Sequence, residues 1–317
     1  MNARTTSRFV RPHQLIALAA LLGVAGCGAC NCNVPGFHAP APGVTPLPPG
    51  VTPTPTPLPT PTSTPIASTS CSQGAAAVAL GPALAPFAVL AGSTVTNVGN
   101  TLVTFGPGAV TGGVNDDLIG VSPGTAVTGF YPPGTDTDGS NAIYAAGYNA
   151  NAAVPLAAQV ALTTAYGVLA GKAAGVTFPN GQDLSQASVV GHPVGTLPPG
   201  VYRSASSLSI MAGNLTLDGG GNAQSVFIFQ MGSTLTTTLN GGAGGNVVLT
   251  GGATACNIYW QVGSSAVLGG ATFYGNVLAN QSVTVNATLF NGRALASVGA
   301  VSIPVAGGSQ ITNPGGQ

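Results

Sequence analysis

A short strand pattern recurs along the C-terminal part of the chain and constrains the fold more than any other feature. Apolar runs begin at Val226, Cys256, Asn276 and Gly292, and each precedes a turn and a strand of small side chains. These small-residue strands are offset by 31, 17 and 18 residues, at positions 233–236, 264–267, 281–284 and 299–302. A short period built from strands and Gly or Asn turns predicts a repeat architecture.

A third strand lies between successive copies, at residues 246–250, 271–274 and 287–290. Three strands per repeat, each stacked on the next repeat, predict an all-β solenoid with three faces. In such a coil every strand pairs with the strands above and below it, and these pairings satisfy the backbone hydrogen-bonding groups.

Alternating side chains give each small-residue strand an inner and an outer side. The inner members are apolar and the outer neighbours are mostly Ser and Thr, with the inner positions at Leu235, Ala266, Val283 and Val301. This period-two alternation is typical of a strand with one packed side and one solvent-facing side. Further copies of the pattern lie upstream, at residues 94–96, 126–128 and 207–209.

The near absence of charge excludes several classes of function. Of the 317 residues, 4% are charged, with six bases and six acids, whereas 44% are hydrophobic. Because the chain has no net charge and no basic patch, we expect no nucleic-acid partner. We also expect no cofactor, no metal site and a monomeric state.

The first 26 residues have the features of an export signal. Arg4, Arg8 and Arg11 precede an apolar segment at residues 15–22, which is too short to span a bilayer. The small residues before Cys27 resemble a bacterial lipoprotein box. We therefore expect Cys27 to carry lipid and to tether the exported chain to a bacterial membrane, at the cell surface or outer membrane. Ordinary signal-peptide cleavage near this point is the alternative.

Residues 27–71 are expected to form the anchored N-terminus and a stalk, and residues 72–317 the folded domain. The stalk is rich in Pro and Thr, a composition that favours extended polyproline II structure. At about 3.1 Å per residue, it would hold the domain as far as roughly 100 Å from its anchor.

The sequence does not determine the bonding state of the cysteines after Cys27. Cys30 and Cys32 have no nearby partners to complete a four-ligand zinc site. A disulfide between Cys71 and Cys256 is allowed in an exported protein, but the sequence does not assign connectivity. The position of Cys256 at the start of a core strand favours a buried, inert thiol.

One helix is predicted, over about residues 153–172. Ala158, Leu162, Ala165 and Leu169 are spaced at four, three and four residues and form one apolar stripe. A single helix of this kind is expected to cover one long face of the solenoid. The polar stretch of residues 136–148 is expected to form a cap or insertion at one end.

From about Leu80 to Ile303, the chain resembles the bacterial and fungal ice-binding proteins of the DUF3494 type. The resemblance is carried by ordered motifs over nearly the whole domain, at residues 87–92, 120–130, 162–166, 199–202, 215–218, 226–237, 257–266 and 291–296. It implies a discontinuous, right-handed, three-faced β-helix with one long α-helix packed alongside. It further implies that the flat face without the helix adsorbs to ice.

The ice-binding residues implied by this resemblance lie on the small-residue strands. They are Thr94, Thr96, Thr125, Ala126, Thr128, Ser207, Ser209, Thr234, Thr236, Ser265, Ser282, Thr284 and Ser302. A Thr-Ala/Gly-x-Thr/Asn pattern, frequent in the family, occurs clearly once, at residues 125–128. Val267 and Ala300 stand where hydroxyls would be expected. Ordered water held by hydroxyls between methyl groups is the expected means of binding.

Two other classes of function are compatible with a β-helix. A polysaccharide lyase or hydrolase needs paired carboxylates or acids with a base, but the six aspartates read as solvated turn residues. A surface adhesin for carbohydrate or matrix fits the stalk and anchor equally well. Aromatic side chains outside the core would favour sugar binding, but Phe227, Phe229 and Trp260 lie in strands predicted to be core.

Overall fold

A computed structural model describes residues 71–106, 117–238 and 244–315. The export signal, Cys27 and nearly all of the predicted stalk therefore lie outside the described residues.

The described chain consists of short strands, one long helix and three 3₁₀ helices. In chain order the strands are β1 (Phe87–Ala91), β2 (Thr94–Asn97), β3 (Leu102–Phe105), β4 (Leu118–Val121), β5 (Ala126–Thr128), β6 (Thr135–Asp136), β7 (Ile143–Tyr144), β8 (Val176–Thr177), β9 (Gln182–Asp183), β10 (Thr196–Leu197), β11 (Gly200–Ser204), β12 (Leu208–Ile210), β13 (Leu215–Asp218), β14 (Phe227–Met231), β15 (Leu235–Thr237), β16 (Val247–Thr250), β17 (Ile258–Val262), β18 (Ala266–Leu268), β19 (Thr272–Ala279), β20 (Val283–Val285), β21 (Leu289–Ala296), β22 (Val301–Ile303) and β23 (Gln310–Asn313). The helix is α1 (Ala153–Ala170), and the 3₁₀ helices are Ser140–Ala142, Leu184–Gln186 and Ala255–Asn257.

The strands stack in parallel into three long faces. An eight-stranded sheet has the order β5-β2-β22-β20-β18-β15-β12-β9. The second face, here called the covered face, contains β8, β11, β14 and β17, the second halves of β19 and β21, and then β1, β4 and β7. The third face contains β10, β13 and β16, followed by the first halves of β19 and β21 and by β23, β3 and β6.

The coils do not stack in chain order. In the eight-stranded sheet, β2 pairs with β22 on one side and with β5 on the other. The chain therefore forms the coils at one end first and restarts at the opposite end with β8 and β9. From there each new coil stacks on the one before it, until β22 pairs with β2. This order makes the β-helix-like fold discontinuous, as the resemblance implied.

A continuous apolar core fills the space between the three faces. Its centre is a row of six aromatic rings with neighbouring centroids 4.1 to 5.9 Å apart, formed by Phe178, Tyr202, Phe229, Trp260, Phe273 and Phe290. The predicted core positions Phe229 and Trp260 have no exposed surface. Burial of aromatic rings on this scale is a main source of stability in a protein interior.

Helix α1 packs on the outer side of the covered face, as the apolar stripe predicts. The stripe residues Ala158, Leu162, Ala165 and Leu169 are buried against that sheet. The helix contains no charged residue and is long and apolar enough to cross a membrane, yet one side of it belongs to the packed core of this fold. It begins at Ala153, as expected, and ends at Ala170, close to the expected end at residue 172.

Two predictions about single residues were wrong. Cys256 is not a free thiol, because it forms a disulfide with Cys71, across 185 residues of sequence. Asp117 and Asp136 are not solvated, since 0% and 5% of their surfaces are exposed. Both lie in the cap at the end of the stack, where residues 136–148 form short strands and a 3₁₀ helix.

Candidate functional site

The outer surface of the eight-stranded sheet, here called the hydroxyl face, carries one unbroken central ladder. Its eight members are in register from one end of the stack to the other: Asp183, Ser209, Thr236, Val267, Thr284, Ser302, Thr96 and Thr128. All of them are at least partly exposed, whereas the residue before each member from Ser209 onward is buried. The alternation in sequence therefore becomes a flat row of small outward side chains.

A second outward row runs beside this ladder, two residues earlier on each strand. It contains Ser207, Thr234, Ser265, Ser282, Ala300, Thr94 and Ala126, all at least partly exposed. Two of its hydroxyls also hold the backbone. The Ser282 Oγ accepts a hydrogen bond from the Ala300 N–H at 3.2 Å, and the Ser265 Oγ accepts one from the Ser282 N–H at 3.4 Å. These serines link successive coils.

Glycines at the corner before the sheet let the coils stack closely. A Cβ atom at Gly232 would overlap the carbonyl oxygen of Ala205, and one at Gly263 would overlap the carbonyl oxygen of Gly232. Because a side chain at either corner would push neighbouring coils apart, glycine here preserves the strand spacing of about 4.8 Å.

Asp183 ends the central ladder and carries its single charge. Its carboxylate accepts hydrogen bonds from the backbone N–H groups of Ser185, Met211 and Ala212 and from the Ser185 hydroxyl. Partial burial opposes ionisation, but these hydrogen bonds outweigh it and lower the pKa of Asp183. The charge is thus held at the β9 end of the hydroxyl face, and the rest of the ladder is neutral.

Most of the predicted site residues lie on this face, and one does not. Thr125 is exposed at the turn before β5, outside the two rows, while Ala126 and Thr128 point outward from the strand. The sequence does not reveal Asp183 as a member of the ladder, because all six aspartates resemble solvated turn residues there. It also missed the exposed rim residues Val98 and Met211, which continue the outward alternation by one step beyond β2 and β12.

The rest of the described surface offers little for catalysis. No group of three or more His, Cys or Asp side chains within residues 71–106, 117–238 and 244–315 could hold a metal ion. A cleft of about 410 Å³ lies beside α1, but the amide nitrogens of its two glutamines are engaged in holding the helix. The Gln230 Nε2 donates to the carbonyl oxygens of Leu169 and Lys172, and the Gln261 Nε2 donates to the Tyr166 hydroxyl.

A family model described as Ice-binding-like matches residues 89–306, a range that includes all eight strands of the eight-stranded sheet and both outward rows. The chain belongs to this ice-binding family. An ice-binding protein from Nostoc sp. (strain HG1) is 40% identical over 220 residues, which cover 68% of each chain. Membership in this family confirms the prediction that the chain is not an enzyme.

Solved structures of ice-binding proteins share the fold. One from an Antarctic biological consortium is 36% identical, with a TM-score of 0.58 over 76% of this chain and 93% of the other. The DUF3494 domain of an ice-binding protein from Shewanella frigidimarina is 27% identical, with a TM-score of 0.54 over 74% of this chain and 97% of the other.

Ser282 points outward in the second row and also accepts a hydrogen bond from the next coil, so its replacement tests whether that row links the coils. Replacing Ser282 by Ala should lower the free energy of unfolding by about 1 kcal/mol, because the Ala300 N–H loses its acceptor. Ser302→Ala is the matched control, since it removes an outward hydroxyl from the neighbouring ladder, and it should change stability by less than about 0.5 kcal/mol. Chemical denaturation of both variants measures the difference. Equal effects would contradict the linking role of Ser282.

Proposed function

We propose that the chain binds ice crystals through the hydroxyl face and thereby limits their growth and recrystallisation. The observation that carries this proposal is the unbroken register of the central ladder on an exposed, nearly uncharged sheet. Family membership supports the same function.

The geometry of the face suits a regular solid surface. Parallel strands place equivalent side chains about 4.8 Å apart between coils and about 6.6 Å apart along a strand. These repeats form a two-dimensional lattice of hydroxyl and methyl groups with spacings comparable to those between water oxygens in ice. Threonine suits such a lattice because its branched Cβ already restricts χ1, so little side-chain entropy is lost on binding. Many weak contacts on a stiff scaffold then add up to a stable adsorption.

Low charge on the face is part of this mechanism. An ionised side chain orients its hydration water around the charge and would disturb an ice-like layer. The ladder confines its one carboxylate to the terminal coil, where four donors from the protein replace water around it. The hydroxyls between Ser209 and Thr128 are therefore free to order water among themselves.

The other two faces fit this role less well. The covered face is occupied by α1 and by the segment containing Val78 and Leu84. The third face is exposed but irregular: Leu102 and Val248 project from it with 38% and 36% of their surfaces exposed, among Thr and amide side chains. Its register is also broken between β16 and β19, which are not paired.

Blocking the face with large side chains should abolish most binding. The variant Thr236→Tyr/Thr284→Tyr places two rings above the central ladder and prevents a flat approach. We expect its incorporation into a slowly growing ice crystal to fall about tenfold, equal to a loss of about 1.4 kcal/mol. Ice-affinity partition and thermal hysteresis measure this effect.

Thr216→Tyr on the third face is the matched control, because it adds the same ring to an outward position of another sheet. It should leave partition within about twofold of the unmodified chain, a difference under about 0.5 kcal/mol. Equal partition of both variants, or exclusion of the unmodified chain from ice, would rule out the hydroxyl face as the binding site.

Val267 offers a gain-of-function test. It lies in register between Thr236 and Thr284, so that Val267→Thr would complete five consecutive hydroxyls from Ser209 to Ser302 with a nearly isosteric side chain. We expect the variant to partition into ice about twofold more strongly, a gain of about 0.4 kcal/mol. Val248→Thr on the third face should produce no gain. An unchanged or weaker Val267→Thr variant would show that methyl groups alone suffice at this rung.

We further propose that the coil is right-handed. Right-handed connections between parallel strands of one sheet are the strong rule in proteins, and this rule supports that handedness.

We also propose a lipid anchor on Cys27. The small residues before Cys27 support lipidation, which would present the hydroxyl face outside the cell on a membrane tether. A Cys27→Ala variant should leave the membrane fraction and lose metabolically incorporated fatty acid. Its retention in that fraction would exclude a lipid anchor on Cys27.

A further inference from the structure

The cap at the β5 end of the hydroxyl face contains two buried carboxyl groups with incomplete hydrogen bonding. Asp117, just before β4, and Asp136, at the end of β6, have 0% and 5% of their surfaces exposed. One oxygen of each, the Asp117 Oδ1 and the Asp136 Oδ2, is buried without a hydrogen-bond partner. Buried polar atoms without a partner are rare and destabilising, so this coincidence needs a physical cause.

The two carboxyl groups are fixed in place by their other oxygens. The Thr137 hydroxyl donates to the Asp117 Oδ2, and the Asp138 N–H donates to the Asp136 Oδ1 at 2.9 Å. The side chains of Asp117 and Asp136 lie within hydrogen-bonding reach of each other. The arrangement therefore brings two acceptors together without a donor between them.

The charged and titratable groups around the pair do not neutralise it. Asp138 lies beside both carboxyl groups, and the Tyr131 hydroxyl accepts from the Asp136 N–H and donates to the Asp136 carbonyl oxygen. Burial raises the pKa of Tyr131, and Tyr148 in the neighbouring loop adds to this effect. Among the described residues, no cation contributes to the field at either carboxyl group. Two ionised carboxylates here would be both desolvated and mutually repulsive.

We propose that Asp117 and Asp136 share a proton. This acid–carboxylate hydrogen bond acts as a pH-sensitive latch that closes the cap over the coil at the β5 end of the solenoid. One proton satisfies both unpartnered oxygens at once. The latch is closed in acidic and neutral water and opens when alkaline water removes the proton.

The direction of the pH dependence follows from burial. Burial raises the pKa of Asp117 to about 6, and Asp138 adds to this effect. Burial raises the pKa of Asp136 to about 8, and the neighbouring Asp117 adds to this effect. Because the folded cap binds protons more tightly than the unfolded chain, its stability is complete below pH of about 4. That stability begins to fall as the pH rises through 6, where the pair loses its first proton, and is lost above 8, where the remaining shared proton leaves.

The cap that the latch closes supports the β5 end of the hydroxyl face. β6 pairs with β3, and the chain between β5 and β6 returns through a close turn in which the Gly134 N–H donates to the Gly129 carbonyl oxygen. The Asn97 Nδ2 of the adjacent coil also donates to the Gly129 carbonyl oxygen. Opening the cap therefore releases the support of the rung that carries Thr128.

Hydrogen exchange at pH 5 and pH 9, corrected for intrinsic rates, tests the latch on the full chain. The amides of Gly134, Asp136 and Gly139 should lose at least tenfold protection at pH 9, while amides of β17 keep theirs. Asp136→Asn, whose amide can donate to Asp117 at any pH, should keep constant protection in the cap. Asp218→Asn is the control, because it changes an aspartate on β13, outside the cap, and should retain the loss seen in the unmodified chain.

Carbon-13 titration of the carboxyl groups in the unmodified chain gives a second measurement that needs no variant. It should show two carboxyl signals that titrate well above pH of about 4, the ordinary range of an aspartate. Cap protection that is equal at pH 5 and pH 9, or two carboxyl groups that titrate normally, would overturn the proposal. So would calcium restoring protection at pH 9 in the unmodified chain but not in Asp136→Asn, because a cation would then occupy the place of the proton.

Discussion

Parallel backbone pairing between successive coils is the constraint on which the rest of this structure depends. It fixes the distance between equivalent side chains and leaves their chemistry to be chosen by the sequence. On the inner side, the same pairing places Tyr202, Phe229 and Trp260 in register, so that the core is a row of stacked rings. On the outer side, it converts Thr236, Thr284 and Thr96 from scattered positions in the sequence into members of one ladder. The core and the hydroxyl face are thus two sides of one repeat.

The three faces are specialised by what covers them. α1 and the segment after Cys71 bury the apolar outer surface of one face, and the Cys71–Cys256 disulfide holds that segment in place. The hydroxyl face needs no cover, because its outward side chains are small and polar enough to meet water. Glycines at the corners and serines between the coils keep it regular. Such rigidity suits the proposed role, since a surface that is to match a crystal must not adjust coil by coil.

Local alternation made much of this architecture predictable. Inner positions such as Leu235 and Val283, the stripe on α1 and the aromatic core are visible in the sequence because each repeats at a fixed spacing. The order of the coils is not visible in this way, since every small-residue strand could pair with any other until the whole set is known. Asp117 and Asp136 were misread for a related reason. Their neighbours are typical of turns, and they become buried only when distant segments close over them. Cys256 likewise looks like a core thiol until Cys71 is placed beside it.

The pairing of β2 with β22 has a consequence for biogenesis. Thr96 and Ser302 are neighbours on the hydroxyl face, yet about two hundred residues of chain separate them. The early coils are therefore left with an open edge until nearly all of the polypeptide is present. Contacts of such long sequence separation are slow to form. The first coils must wait for the last one, and an unpaired edge in that interval invites aggregation. The hydroxyl face is thus assembled around a seam, between β2 and β22, that closes last.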